Sequence, residues 1–193
     1  GYIFSIDKDP ADWNSPIPPV GSTGGQIIGF HHVYPKNIDI TPQQSAYITA
    51  YVDSFEQALN GVNYQDPLTG YRKYASVKAF VDYFLINELS NNVDGYRLST
   101  YLHKDRNSKG GQLKAGPHWD YNLAWHNADY CSGDQYNVWA YQFNNVCSGD
   151  YWQVPFWWDK LVTDSAFQNR AYCRWDELRH TLLDTVNLFA VID

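Results

Sequence analysis

The run Thr41-Pro42-Gln43-Gln44, followed by apolar residues at Tyr47, Ile48, Tyr51, Val52, Phe55 and Leu59, constrains this chain more than any other feature. Thr41 and Gln44 have the spacing of a reciprocal N-terminal cap, and Pro42 suits the first helical position. The apolar residues recur with helical period on one face. Asn60-Gly61 supplies a stop. A second stripe follows from Ser76, through Val77, Phe80, Val81, Phe84, Leu85 and Leu89, and ends in the polar run Ser90 to Arg97. Two helices with one apolar stripe each need a shared core.

Strands are read at Gly1 to Asp7 and Gln26 to Pro35, separated by a turn-rich stretch of Pro and Gly. His31 and His32 fall on opposite faces of the second strand and so do not make a shared metal site. Tyr96 to Asp105 alternates, residues 106–111 turn, and Gln112 to Asp120 returns, which predicts a β-hairpin. Helical patterns resume from Pro155 to Asp164, from Asp164 to Leu183 with Asp164 as cap, and from Asp184 to the end. The sum is a helix-rich α+β domain with one central β-hairpin. At 193 residues the chain is long enough for one sizeable core.

With 44% hydrophobic and 17% aromatic residues, the composition excludes low-complexity disorder. A formal net charge of -7 argues against a nucleic-acid partner, which would require a basic face. No run is apolar and long enough to form a transmembrane segment. The first residue is Gly1 and Asp193 falls inside a helical pattern, so residues 1–193 read as a piece of a longer protein. Cys131 and Cys147 close a loop and have no CxxC spacing, so zinc is disfavoured. A disulfide between them would fit an exported protein. Three separate thiols, Cys173 included, is the competing reading.

The hairpin organises the polar residues. Asn91, Asn92 and Asp94 precede its first strand, and Asp120 and Asn122 follow its second. Antiparallel strands return the chain to its starting point. Asp94 and Asp120 are therefore expected at one open end, where they can build a site. Each also has an ordinary local reading, Asp94 as a helix end and Asp120 as a turn cap.

The segments Asn87 to Asp105 and Gly110 to Asn127 resemble the core of the CotH kinase family, whose pattern is roughly E-L-x-x-N-x-D, a strand pair ending in Lys-Asp, then P-x-W-D-[FY]-D. The resemblance extends over most of the chain, Val33 to Ile48 included. It implies an atypical protein-kinase-like C-lobe and ATP- and magnesium-dependent transfer of phosphate to Ser of a protein substrate. By resemblance Asp94 matches the catalytic aspartate, Asn92 the Asn of N-x-D, and Asp120 the metal-binding aspartate. Asn122 stands where the family often has a second aspartate, and is the second expected metal ligand. His126 stands where Gly is usual. Phosphoryl transfer needs these types: an Asp to orient the attacking hydroxyl, and hard oxygens for magnesium. Arg97 and Lys104 are expected on the solvated surface.

The family's amino lobe is expected before Gly1, since nothing in Gly1 to Gly25 resembles a phosphate-cradling Gly-rich loop followed by Lys. Residues 1–193 alone are therefore expected to bind ATP poorly and to be inactive. Many family members are exported bacterial proteins, and the same location is expected here. The rival reading is an exported module that binds a glycan or a surface partner protein through its Trp and Tyr. Those aromatics also suit a core.

Overall fold

The computed structural model describes residues 1–8, 10–21 and 23–192. Five strands form one antiparallel sheet in the order β2-β3-β1-β4-β5: β1 (Tyr2–Ile6), β2 (Trp13–Asn14), β3 (Gly29–Tyr34), β4 (Thr100–Lys104) and β5 (Leu113–Ala115). The long helices are α1 (Pro42–Asn60), α2 (Val77–Ser90) and α5 (Ser165–Arg179). Shorter ones are α3 (Phe143–Val146), α4 (Trp157–Leu161) and α6 (Thr185–Ile192). The architecture is mixed α+β. No described helix is long and apolar enough to cross a membrane.

The expected hairpin is β4–β5, and its strands are shorter than the alternation suggests. It lies at one edge of the sheet. The central strand is β1, which pairs Phe4 with Leu102 of β4 on one side and Ile6 with Phe30 of β3 on the other. Because side chains alternate along a strand, Thr100, Leu102 and Lys104 share one face of β4. That face is the core face, where Phe4, Leu102 and Phe30 are all buried.

Helix α1 starts as its sequence dictates. Thr41 Oγ1 accepts from Gln44 N at 3.3 Å, and Thr41 N donates to Gln44 Oε1 at 2.9 Å. Its buried stripe of Ile48, Val52, Phe55 and Leu59 meets Trp157 of α4, whose ring lies 5.2 Å from that of Phe55. Trp158 fills the space toward α2, with its ring 4.4 Å from Tyr96 and 5.6 Å from Phe80. Helix α5 packs on α2 through Phe167 on Phe84 and an Arg174–Asp82 ion pair at 2.8 Å. The aromatics of the later chain therefore divide. Phe143, Phe156, Trp157 and Trp158 are core, whereas Trp119, Trp125, Trp139 and Tyr151 are exposed.

Two expectations of surface charge are corrected here. Arg97 and Lys104 are both only 2% exposed. Lys104 is carried inward by the β4 alternation and rests 4.5 Å from the Tyr51 ring centroid, with Nζ donating to Asn107 Oδ1 at 3.1 Å. Arg97 is drawn inward by carboxylates, described below.

Candidate active site

Helix α2 delivers the chain to the site. Asn91 ends it in a left-handed conformation (φ 43°), and its Nδ2 donates to Gly133 O at 2.9 Å and Gln135 O at 2.8 Å. The short loop to β4 is closed by its own backbone: Gly95 N donates to Asn92 O, and Leu98 N to Asp94 O, each at 2.9 Å. Gly95 is needed here, because a Cβ would overlap Asn87 Oδ1 and lie 2.9 Å from Asn92 O.

Asp94 lies at the head of this loop, with its side chain 20% exposed. Its Oδ1 accepts from Arg97 Nη2 at 2.7 Å and from the Tyr130 hydroxyl at 3.0 Å. Among the described residues its Oδ2 accepts no hydrogen bond. Arg97 is fully engaged. Nε donates to Val93 O, Nη1 reaches Trp152 O at 3.1 Å and Asp150 Oδ1 at 3.3 Å, and the guanidinium lies 3.9 Å from the Phe143 ring centroid. A buried guanidinium between two carboxylates is paired, which explains why the expected surface position is wrong.

Ser99 closes the same loop, and its Oγ lies 3.4 Å from Asp120 Oδ2. Asp120 arrives from β5 through a cis Gly116–Pro117 bond. Asp120 and Asn122 are exposed. The carbonyl of Asn122 accepts from Asn127 Nδ2 at 2.7 Å. Asn92 is placed differently. It is 3% exposed, its Nδ2 donates to Asn87 Oδ1 at 3.1 Å, and its Oδ1 is buried without a partner. Its side chain thus lies beneath the loop that presents Asp94. Tyr121, the residue after Asp120, brings its hydroxyl near this floor. Burial raises its hydroxyl pKa most, the neighbouring Tyr83 adds to that, and the nearby Asn87 and Asn92 amides act in the opposite direction.

Backbone strain concentrates in this region. Among the described residues, the non-glycine positions with positive φ are Asn91, Tyr96, Ser99, Asp120, Trp125, His126, Cys131 and Ser132. All fall between the end of α2 and the start of the cysteine loop. Such conformations are costly for residues with a Cβ and cluster at functional sites.

Glu88, from the E-L of the sequence pattern, points away from the solvent. It accepts from the Tyr96 hydroxyl at 2.7 Å, Ala140 N at 2.8 Å and Tyr141 N at 3.0 Å. Burial lifts its pKa to about 7 against the pull of these donors. It ties α2 and the Asp94 loop to the segment inside the cysteine loop. That loop is closed by a Cys131–Cys147 disulfide, with Cα atoms 5.7 Å apart, while Cys173 is free and exposed.

No cluster of three or more His, Cys, Asp or Glu among the described residues could enclose a metal. The donors that fit magnesium are the Asp120 carboxylate and the Ser99 hydroxyl, both hard oxygens, with Asn122 as a neutral neighbour two residues on. Magnesium commonly takes one or two carboxylates and completes its shell with water and substrate phosphate. The sequence reading missed Ser99, Tyr130 and Asp150. Ser99 carried a signal in its place on the Asp94 loop. Tyr130 and Asp150 carried none beyond their nearness to the cysteines.

The family model described as CotH kinase protein matches residues 25–193. No curated protein and no solved structure matches the chain. The sequence pattern around Asp94 and Asp120 and the family match agree, and the chain belongs to the CotH kinase protein family.

Proposed function

We propose that this chain carries the catalytic loop and the metal-binding aspartate of an ATP- and magnesium-dependent kinase that phosphorylates Ser hydroxyls of a protein substrate. The observation that supports it most is the Asp94–Ser99 loop, which carries at one end a partly exposed carboxylate whose donors fall on Oδ1 and at the other a hydroxyl against Asp120. In this reading Asp94 Oδ2 accepts a hydrogen bond from the acceptor hydroxyl. That oxygen receives the proton as the new O–P bond forms and the bond to the departing nucleoside diphosphate breaks. Asp120 and Ser99 would hold magnesium, which would supply neutralisation of phosphate charge. Asn92 supports the loop from below.

The disulfide supports an exported location, because such bonds persist in oxidising compartments. A second reading, a glycan- or protein-binding module, is favoured by the exposed Trp119 and Trp125 on either side of Asp120. Incubation of the full-length protein with γ-labelled ATP, magnesium and Ser-containing acceptor proteins, itself included, separates the two. The kinase reading expects label that is lost in Asp94→Asn and Asp120→Ala. Label equal in all three proteins, or none in any alongside saturable glycan or protein binding lost in Trp119→Ala, would overturn it.

A further inference from the structure

The loop closed by the disulfide reaches the Asp94 carboxylate from both of its ends. Tyr130 immediately precedes Cys131, and its hydroxyl donates to Asp94 Oδ1 at 3.0 Å. Asp150 follows Cys147 by one turn, with its N donating to Cys147 O at 3.0 Å. Its Oδ1 accepts from Arg97 Nη1 at 3.3 Å and from Trp152 N at 2.8 Å. Arg97 in turn donates to the same Asp94 Oδ1 at 2.7 Å. Two segments 16 positions apart in sequence, joined sulfur to sulfur, thus grip one carboxylate oxygen, one directly and one through Arg97.

This arrangement has a geometric consequence. A carboxylate rotates about its last torsion with a broad preference. Two donors on Oδ1 fix that rotation and leave Oδ2 as the carboxylate oxygen that takes no hydrogen bond among the described residues. We propose that Tyr130 and Asp150 are positioning residues for Asp94, and that the Cys131–Cys147 disulfide sets the separation at which both can act. The proposal rests on the reading of Asp94 as the residue that faces the acceptor hydroxyl. Tyr130 and Asp150 touch neither acceptor nor nucleotide. Their effect is on the orientation of Asp94, so it belongs to turnover and not to nucleotide affinity.

The test uses the full-length protein in four forms: wild type, Tyr130→Phe, Asp150→Asn, and the double variant Cys131→Ser with Cys147→Ser. Hydrogen–deuterium exchange is followed in residues 93–99 and in α1 as the internal reference. We expect exchange in residues 93–99 to quicken by about threefold or more in the Tyr130→Phe, Asp150→Asn and double-cysteine forms, with α1 unchanged, since the loop's opening is local. Transfer turnover should fall about tenfold in Tyr130→Phe, short of the ~100-fold that a full 1 Å misplacement can cost. The KM for ATP should stay within about twofold. Unchanged exchange in residues 93–99 would overturn the proposal. So would equal quickening in α1, which marks a general staple, or normal turnover in a Tyr130→Phe protein whose loop has loosened. A wild-type protein that transfers no phosphate removes the kinase reading, and the exchange arm then decides the positioning on its own.

Discussion

Ser99 Oγ and Asp120 Oδ2 lie 3.4 Å apart although 21 positions separate them in the chain. The β4–β5 hairpin makes this approach, by running the strand that precedes Asp120 back beside the strand that follows Ser99. Both residues hold left-handed backbone, φ 47° at Ser99 and 61° at Asp120. The cost of these conformations is borne where the two oxygens meet, and strained backbone of this kind clusters at active sites.

On the proposed kinase reading, this pairing predicts a graded set of effects on phosphate transfer by the full-length protein. Asp120→Ala should abolish both transfer and magnesium-dependent ATP binding. Asp94→Asn should reduce turnover by ~10²- to 10⁴-fold with ATP affinity retained, the range expected for a lost general base. Ser99→Ala should lie between wild type and Asp120→Ala in magnesium dependence. Titration calorimetry with ATP, with and without magnesium, paired with a label-transfer assay, checks the order. ATP binding in Asp120→Ala that still responds to magnesium would remove Asp120 from the metal site.

Glu56 gives a stability prediction with a definite sign. It is fully buried, accepts from Trp157 Nε1 at 2.7 Å and meets Ser15 Oγ at 2.9 Å. Burial pushes its pKa up from 4.5 to about 7. A carboxyl whose folded pKa is raised binds its proton more tightly folded than unfolded. Its contribution is fully present below about pH 4.5 and is lost as pH rises through about 7. The scale is about 3 kcal/mol, since each tenfold change in proton affinity is worth ~1.4 kcal/mol. Glu56→Gln imitates the protonated group, with the amide donating to Ser15 Oγ. It should match wild type near pH 4 and exceed it by up to ~3 kcal/mol at pH 8 in denaturant unfolding. Glu88→Gln should behave oppositely and destabilise at both pH values, since an amide nitrogen would face one of three donors.

Asn91 does two separable things. Its backbone needs the left-handed region, and its side chain tethers the cysteine loop. Asn91→Gly keeps the first and loses the second, at ~1–3 kcal/mol for unmade buried hydrogen bonds. Asn91→Ala loses both and should be weaker by about 1 kcal/mol more, the cost of left-handed backbone for a residue with a Cβ. Urea midpoints of the two variants give the difference directly. Equal midpoints would show that the backbone conformation is not strained.

The cysteines can be sorted chemically. Peptide mapping without reductant should find Cys131 linked to Cys147, and a thiol reagent should label exposed Cys173 in the native protein. Reduction should cost about 3 kcal/mol for a loop of this length. Labelling of all three in the oxidised protein would remove the support for an exported location.

Local chemistry makes a good part of this protein legible in its sequence. The cap at Thr41, the stripes of α1 and α2 and the turn after β4 depend on neighbours within a few positions, and all form where the residues indicate. A bonded Cys131–Cys147 loop is one of two readings that the sequence leaves open, and the structure contains the bond. The CotH resemblance, carried by the segments around Asp94 and Asp120, agrees with the family match. Tertiary structure decided the rest. Strand β1 became the centre of the sheet because β4 and β3 each need a hydrogen-bonding partner, and no local pattern says which strand supplies it. Lys104 reads as solvated because it is charged, yet the alternation of β4 and the Tyr47 and Tyr51 rings of α1 took it inside. Arg97 went inward for a carboxylate 53 positions away, Asp150, as well as for its neighbour Asp94. Asn92 matches a motif, but only the packing of the loop on Asn87 put its side chain underneath. A sequence pattern fixes residue types and local conformation. Which side chains meet across the fold depends on long-range packing, where pairs far apart in the chain compete for the same buried space.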